Sequence, residues 1–248
     1  MRKIKITLSV IFTLPVFIPT VILAILSCIF SVLGMKKAAE KWLHFWLYIT
    51  IWWIWVCFGA SFRVEGKENI PSKGCRVCYI ANHLSMMDIP AIFYAGLWSG
   101  VIGKVELKKI LGLNIVMKEL NCVYIDRKSI KESLKAILEG AENIKKGIAM
   151  TIFPEGTRSK DMEMGSFKAG SFKMATKAKA EIVPVVIFNT RYLFENKKYF
   201  IKRVPVLVKI LAPVKTENMS EEELRNVPDL VENMIRSEYE KLKSGFDV

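Results

Sequence analysis

The chain has 248 residues, and its 37 Lys and Arg against 24 Asp and Glu leave a net charge of +13. A hydrophobic share of 52% with 25% charged residues excludes a disordered chain, and 14 Gly with 9 Pro exclude a collagen-like repeat. The positive balance suits an anionic partner (nucleic acid, a lipid surface or an acidic protein), while five Cys, odd in number, make no disulfide framework and point to a reducing compartment.

The first elements belong to a membrane. Residues 6–35 carry no charge, nor do residues 42–62, and only Lys36-Lys37-Ala38-Ala39-Glu40-Lys41 separates them. Both runs exceed the roughly 18 apolar residues that mark membrane insertion. The first is too long for a signal-peptide core and lacks a clean cleavage site. Two spanning helices would put Lys36, Lys37 and Lys41 across the bilayer from Arg2, Lys3 and Lys5, against the usual one-sided placement of basic loops. Pro15 and Pro19 interrupt the first run, and Trp42, Trp46 and Trp53 share a helical face suited to the headgroup level. The expectation is a kinked two-helix hairpin over residues 1–62 that dips into one leaflet, favoured over spanning, at the cytoplasmic face of the cell membrane.

Residues 63–248 read as one α/β domain, net +8, with a mostly parallel or mixed sheet flanked by helices. Apolar runs predict strands at Arg76–Ala81, Val101–Gly103, Val123–Ile125, Ile148–Phe153, Ile182–Phe188 and Val206–Leu211. Ser129–Lys146 is a helix by period, with Ile130, Leu134, Ile137, Leu138, Ala141 and Ile144 on one stripe and Gly147 as its stop. A second helix is expected over Phe167–Lys179. Ser220 with Glu223 forms a capping box before a last helix that Pro228 should restart.

Three clusters sit at predicted strand ends. In Asn82-His83-Leu84-Ser85-Met86-Met87-Asp88, the His and Asp lie about 140° apart on a straight helix, so they meet only if His83 is still in the turn and Asp88 opens the helix. A carboxylate so placed would fix the imidazole tautomer and leave the other nitrogen to take a proton. No G-x-S-x-G is present and no Ser or Cys stands out as a nucleophile, which suits direct attack by a substrate hydroxyl. Phe153-Pro154-Glu155-Gly156-Thr157-Arg158-Ser159 combines a fixed turn with a guanidinium fork suited to phosphate, or alternatively a structural Glu155–Arg158 pair closing a loop. Lys104, in Gly103-Lys104-Val105-Glu106-Leu107, adds positive charge at the same edge.

Taken together these residues resemble the lysophosphatidic acid acyltransferases (1-acyl-sn-glycerol-3-phosphate acyltransferases) of the glycerolipid acyltransferases. Asn82–Asp88 is similar to the family's N-H-x-x-x-x-D motif and Phe153–Ser159 to F-P-E-G-T-R-S; Lys104 with Val123-Tyr124-Ile125-Asp126-Arg127 resembles the intervening motif, with Asn121-Cys122 in place of its usual Gly-containing entry, and Ile182-Val183-Pro184-Val185-Val186 resembles the fourth. The resemblance implies that His83 is the general base and Asp88 its orienting partner. It implies further that Lys104 and Arg158 hold the substrate phosphate, and that Glu155, Gly156 and Thr157 shape the pocket. The implied reaction moves a fatty acyl group from acyl-carrier protein or acyl-CoA to the sn-2 hydroxyl of lysophosphatidic acid, without metal or organic cofactor; another lysolipid acceptor is the alternative. Lys160, Lys168, Lys173, Lys177 and Lys179 are candidates for contact with headgroups or an acidic carrier.

Rival readings fit less well. Cys75-x-x-Cys78 needs further ligands for zinc, and only Cys122 and His83 are at hand. A metal hydrolase on His83, Asp88 and Glu155 is a second enzyme reading. Nucleic-acid binding lacks a basic–aromatic strand or zinc-finger signature and does not account for the apolar runs. An inactive membrane-shaping relative would have no use for His83 and Asp88.

Overall fold

The computed structural model describes residues 22–110, 112–195 and 203–245. A helix over 22–32 (α1) leads through a turn, with Gly34 at φ +79°, into α2 (Lys36–Phe58). The amino-terminal part of the first apolar run, with Pro15 and Pro19, lies outside the described residues. Among those described, no helix is long and apolar enough to cross a membrane.

α2 is two-faced. Leu43, Leu47, Ile51 and Trp55 recur every fourth residue and are buried, whereas Phe45, Tyr48, Trp52 and Val56 form an exposed stripe. Burying each of those four inward side chains contributes about 1.5–3 kcal/mol. Trp42, Trp46 and Trp53, expected together on the headgroup face, are instead half-buried, and Phe30 of α1 meets Trp42 edge-on at 6.1 Å. The outward face therefore centres on Phe45 and Trp52.

Gly59 ends α2 in a left-handed conformation (φ +68°), and the chain enters β1 (Ala60–Glu65) at once. This strand straddles the expected boundary at residue 62, because Phe62 stacks on Trp55 at 5.4 Å and faces Tyr94 edge-on at 4.7 Å. The remaining strands are β2 (Val77–Ala81), β3 (Gly100–Lys104), β4 (Val123–Ile125), β5 (Met150–Ile152), β6 (Glu181–Phe188), β7 (Val204–Ile210) and β8 (Val214–Lys215). Six match expected runs to within two residues at each end; β1 and β8 did not register as strands in the sequence.

The strand order is β1-β7-β6-β2-β5-β3-β4, with β8 against the start of β6. Strands β2 to β6 are mutually parallel, while β7 and β8 run antiparallel to β6 and β1 runs with β7. The sheet is thus mixed, as expected. One core holds Tyr79, Ala81, Val183, Val185, Val206 and Val208 with the inward stripe of α2. The other joins Cys78, Ile80, Met150, Ile152 and Val186 to α5 (Ile130–Lys145), α6 (Ala169–Lys177) and α7 (Glu221–Ser244). Residues alternate between the two faces as the pleat requires.

Two helices differ from expectation. In α5, Ala136, Ile137, Gly140, Ala141 and Ile144 are buried, but Ile130 is 91% exposed and Leu134 and Leu138 are exposed as well. A Cβ on Gly140 would lie 2.4 Å from Met174 Sδ. α6 thus packs closest where α5 is smallest, which turns the larger residues outward. In α7 the Ser220–Glu223 capping box forms, yet the helix continues through Pro228. Proline there removes one bond near the helix start, and the buried Val227, Val231, Ile235 and Tyr239 outweigh it.

Candidate active site

Five parallel strands end at one edge, the position where α/β sheets carry their sites. Register places Ala81 beside Val185 and Ile80 beside Ile152, so the segments after β2 and β5 emerge together. Asn82 fixes the exit of β2: its Nδ2 donates to the Ile187 carbonyl at 2.9 Å and its Oδ1 accepts the Ile187 N–H at 2.8 Å. A buried side-chain amide thereby continues the β2–β6 ladder where the strands part.

His83 follows in the turn, and Asp88 opens the short helix α3 (Asp88–Tyr94). The two side chains meet, with His83 Nδ1 2.7 Å from Asp88 Oδ2. The same oxygen accepts the Leu84 and Ser85 N–H groups at 2.7 and 2.8 Å, and Oδ1 accepts the Thr190 hydroxyl at 2.6 Å. Asp88 and Thr190 are fully buried. Every partner of the carboxylate can donate, a set that suits an ionised acid and puts the ring N–H on Nδ1. The other nitrogen, Nε2, keeps its lone pair. The His83 ring stacks on Phe153 at 4.2 Å, which fixes its plane.

The Pro154–Ser159 turn closes over this loop. Gly156 has φ +75°, and a Cβ there would come within 2.9 Å of Lys168 Nζ. Lys168 N–H donates to the Pro154 carbonyl at 3.1 Å, and Arg127 donates to the Gly156 carbonyl. Ser159 N–H donates to the His83 carbonyl at 2.8 Å, while Arg191 bridges the carbonyls of Leu84 and Ser159. Glu155 is buried, its Oε1 accepting the His83 N–H at 2.6 Å and its Oε2 the Gly165 N–H at 2.9 Å. Burial raises its pKa, and the two backbone bonds oppose that rise.

Not every expected pairing forms. Arg158 pairs with Glu195 at 3.0 Å; Glu155, which the spacing could have joined to it, spends its carboxylate on backbone. Lys104 lies at the same edge, half-exposed and 2.8 Å from Glu106. Thr157 is exposed. Thr190, Arg191 and Glu195 carried no sequence signal, since they follow the last motif by several residues and act only through folding. Arg127 was visible within its motif, but its bond to the Gly156 turn was not.

Cys75 lies exposed ahead of β2 and Cys78 is buried in it; among the described residues no group of three or more His, Cys, Asp or Glu could hold a metal ion. His44 stacks on Trp98 at 4.1 Å, and burial lowers its pKa. A cavity of about 760 Å³ opens at the other end of the sheet, near Glu40, His44, Lys73 and Trp98, and none of the expected site residues lines it.

Comparison with known proteins gives a consistent picture. The acyltransferase family model matches residues 61–188. A 1-acyl-sn-glycerol-3-phosphate acyltransferase of Borreliella burgdorferi is 30% identical over 191 residues, 77% of this chain and 76% of that protein. A probable enzyme of the same name from Mycoplasma pneumoniae is 31% identical over 209 residues, covering 77% and 73%. The crystal structure of the 1-acyl-sn-glycerophosphate acyltransferase PlsC from Thermotoga maritima superposes with a TM-score of 0.81 at 31% identity and covers both chains fully.

Replacing Thr190 by Val leaves a buried oxygen of Asp88 without its donor. Thr190→Val should lower the unfolding free energy by about 1–3 kcal/mol in denaturant titrations, whereas Thr190→Ser should retain most of it.

Proposed function

The chain belongs to the 1-acyl-sn-glycerol-3-phosphate acyltransferase family, and from that premise we propose how its own residues move the acyl group. The enzyme transfers a fatty acyl group from an acyl thioester to the sn-2 hydroxyl of lysophosphatidic acid, giving phosphatidic acid. One observation carries the mechanism: an imidazole braced by a buried, fully bonded carboxylate at an open sheet edge.

Nε2 of His83 takes the proton of the sn-2 hydroxyl as that oxygen attacks the thioester carbonyl. Asp88 holds the resulting imidazolium through Nδ1–H. The tetrahedral intermediate then expels the thiolate, the C–S bond breaks, and the proton on Nε2 passes to sulfur. The new ester bond and the free thiol leave His83 neutral again. No protein nucleophile is needed, because the alcohol belongs to the lipid. Glu155 fixes the His83 main chain. Arg158 and Lys104 supply positive charge for the acceptor's phosphate at the same edge. Acyl-carrier protein and acyl-CoA are both anionic donors, which the basic surface suits.

Lysophosphatidate already lies in a membrane. The exposed stripe Phe45, Tyr48, Trp52 and Val56, with exposed Ile22, Ile29, Val32 and Leu33 of the preceding segment, is the apolar surface that enters one leaflet. Lys36, Lys37 and Lys41 beside it meet anionic headgroups on the cytoplasmic face.

His83→Ala should lower kcat by roughly 10²–10⁴ while circular dichroism and liposome binding stay as in the wild type; activity near that of the wild type excludes this mechanism. Arg158→Ala should act mainly through a higher KM for lysophosphatidate, read from initial rates at saturating thioester. The pair Phe45→Ser and Trp52→Ser should weaken flotation with anionic liposomes by more than about tenfold, since each ring removed from lipid forfeits about 1.5 kcal/mol or more.

A further inference from the structure

The His83–Asp88 dyad makes no use of Glu195, and yet this carboxylate is closely held at the catalytic turn. It arrives from 110 residues away, in the turn after the 3-10 segment Thr190–Tyr192. Its Oε2 accepts the Ser85 hydroxyl at 2.5 Å. Its Oε1 accepts the Met86 N–H at 2.9 Å and lies 3.0 Å from Arg158 Nη1. The Glu195 side chain is 15% exposed and that of Arg158 44%.

A hydroxyl, a backbone N–H and a guanidinium converging on two anionic oxygens is the donor set that holds a phosphate monoester. These donors stand two and three residues from His83, apart from Arg158, whose own loop is tied to the His83 carbonyl through Ser159. Lysophosphatidate carries its phosphate a short carbon–oxygen link from the hydroxyl to be acylated. A phosphate seated here stands at the same turn that carries the imidazole. The neighbouring N–H groups of Leu84 and Ser85 are committed to Asp88, so Ser85 Oγ and Met86 N–H are the members of this turn directed at Glu195.

We propose that Ser85, the Met86 N–H and Arg158 form the cradle for the acceptor's phosphate, and that Glu195 occupies this cradle in the empty enzyme until the phosphate displaces it. The inference rests on the reading of Arg158 as a phosphate ligand. It adds two ligands and an internal competitor, and it gives the enzyme a means of discrimination. A phosphate monoester has more charge and more terminal oxygens than a carboxylate and competes for all three donors. A lysolipid whose phosphate is a diester has a single charge and a bulky substituent, so it displaces Glu195 poorly.

Glu195→Gln keeps an amide oxygen for the turn but removes the charge paired with Arg158. KM for lysophosphatidate should fall about two- to fivefold, the scale of a half-exposed ion pair. The inhibition constant of inorganic phosphate, used as a competitive probe, should fall by a similar factor, and phosphate should raise the melting temperature of Glu195→Gln more than that of the wild type. Ser85→Ala, which removes a donor, should raise both constants. Unchanged or higher values in Glu195→Gln overturn the displacement, and unchanged values in Ser85→Ala overturn the cradle. Should Arg158→Ala leave the lysophosphatidate KM unaltered, the phosphate role of Arg158 fails and this inference with it. A raised KM in Arg158→Ala beside an unmoved Glu195→Gln removes only the part assigned to Glu195.

Discussion

The proposed chemistry depends on a carboxylate that is fully buried. A buried ionised acid costs several kcal/mol unless its oxygens are met by donors, and Asp88 meets them with the His83 ring, two backbone N–H groups and the Thr190 hydroxyl. Those donors come from the turn after β2 and from the segment after β6, while the acid itself opens α3. The Asn82 bridge between β2 and Ile187 holds the two strand ends at the spacing this requires. The imidazole is therefore aimed by the sheet, and its orientation is a property of the core.

A second carboxylate, Glu155, does the same for the main chain. By accepting from His83 N–H and Gly165 N–H it ties the motif after β5 to the motif after β2. Gly156 makes the turn tight enough for Lys168 and Arg127 to close around it. The two motifs thus form one folded unit whose parts lie 72 residues apart in the chain.

Helix α2 is not an appendage on a flexible tether. α2 contributes Leu43, Leu47, Ile51 and Trp55 to the core that also contains Tyr79, Val185 and Val206. Trp55, Phe62 and Tyr94 pack ring against ring, joining α2 to β1 and α3. Since α3 begins with Asp88, the exposed stripe of α2 and the His83–Asp88 turn share one packed framework.

Much of this was legible in the sequence because its signals are local. Apolar runs gave six strands, the Ser220–Glu223 box marked a helix start, and the His83-to-Asp88 spacing demanded a turn before a helix. The first half of β1 was hidden in an apolar run that read as helix to its end, and β8 has only two residues. The stripe on α5 was misjudged because the close approach of Met174 to Gly140, a contact with another helix, decides which side is buried. Charge partners were beyond reach for the same reason. The sequence by itself determined which candidate groups stand together at which strand ends. Only the tertiary structure decided that Glu155 serves backbone rather than Arg158, that Thr190 completes Asp88, and that Glu195 lies against Arg158. Such pairings bring together residues up to 110 positions apart, and no local period or cap encodes a contact made by the closing of a sheet.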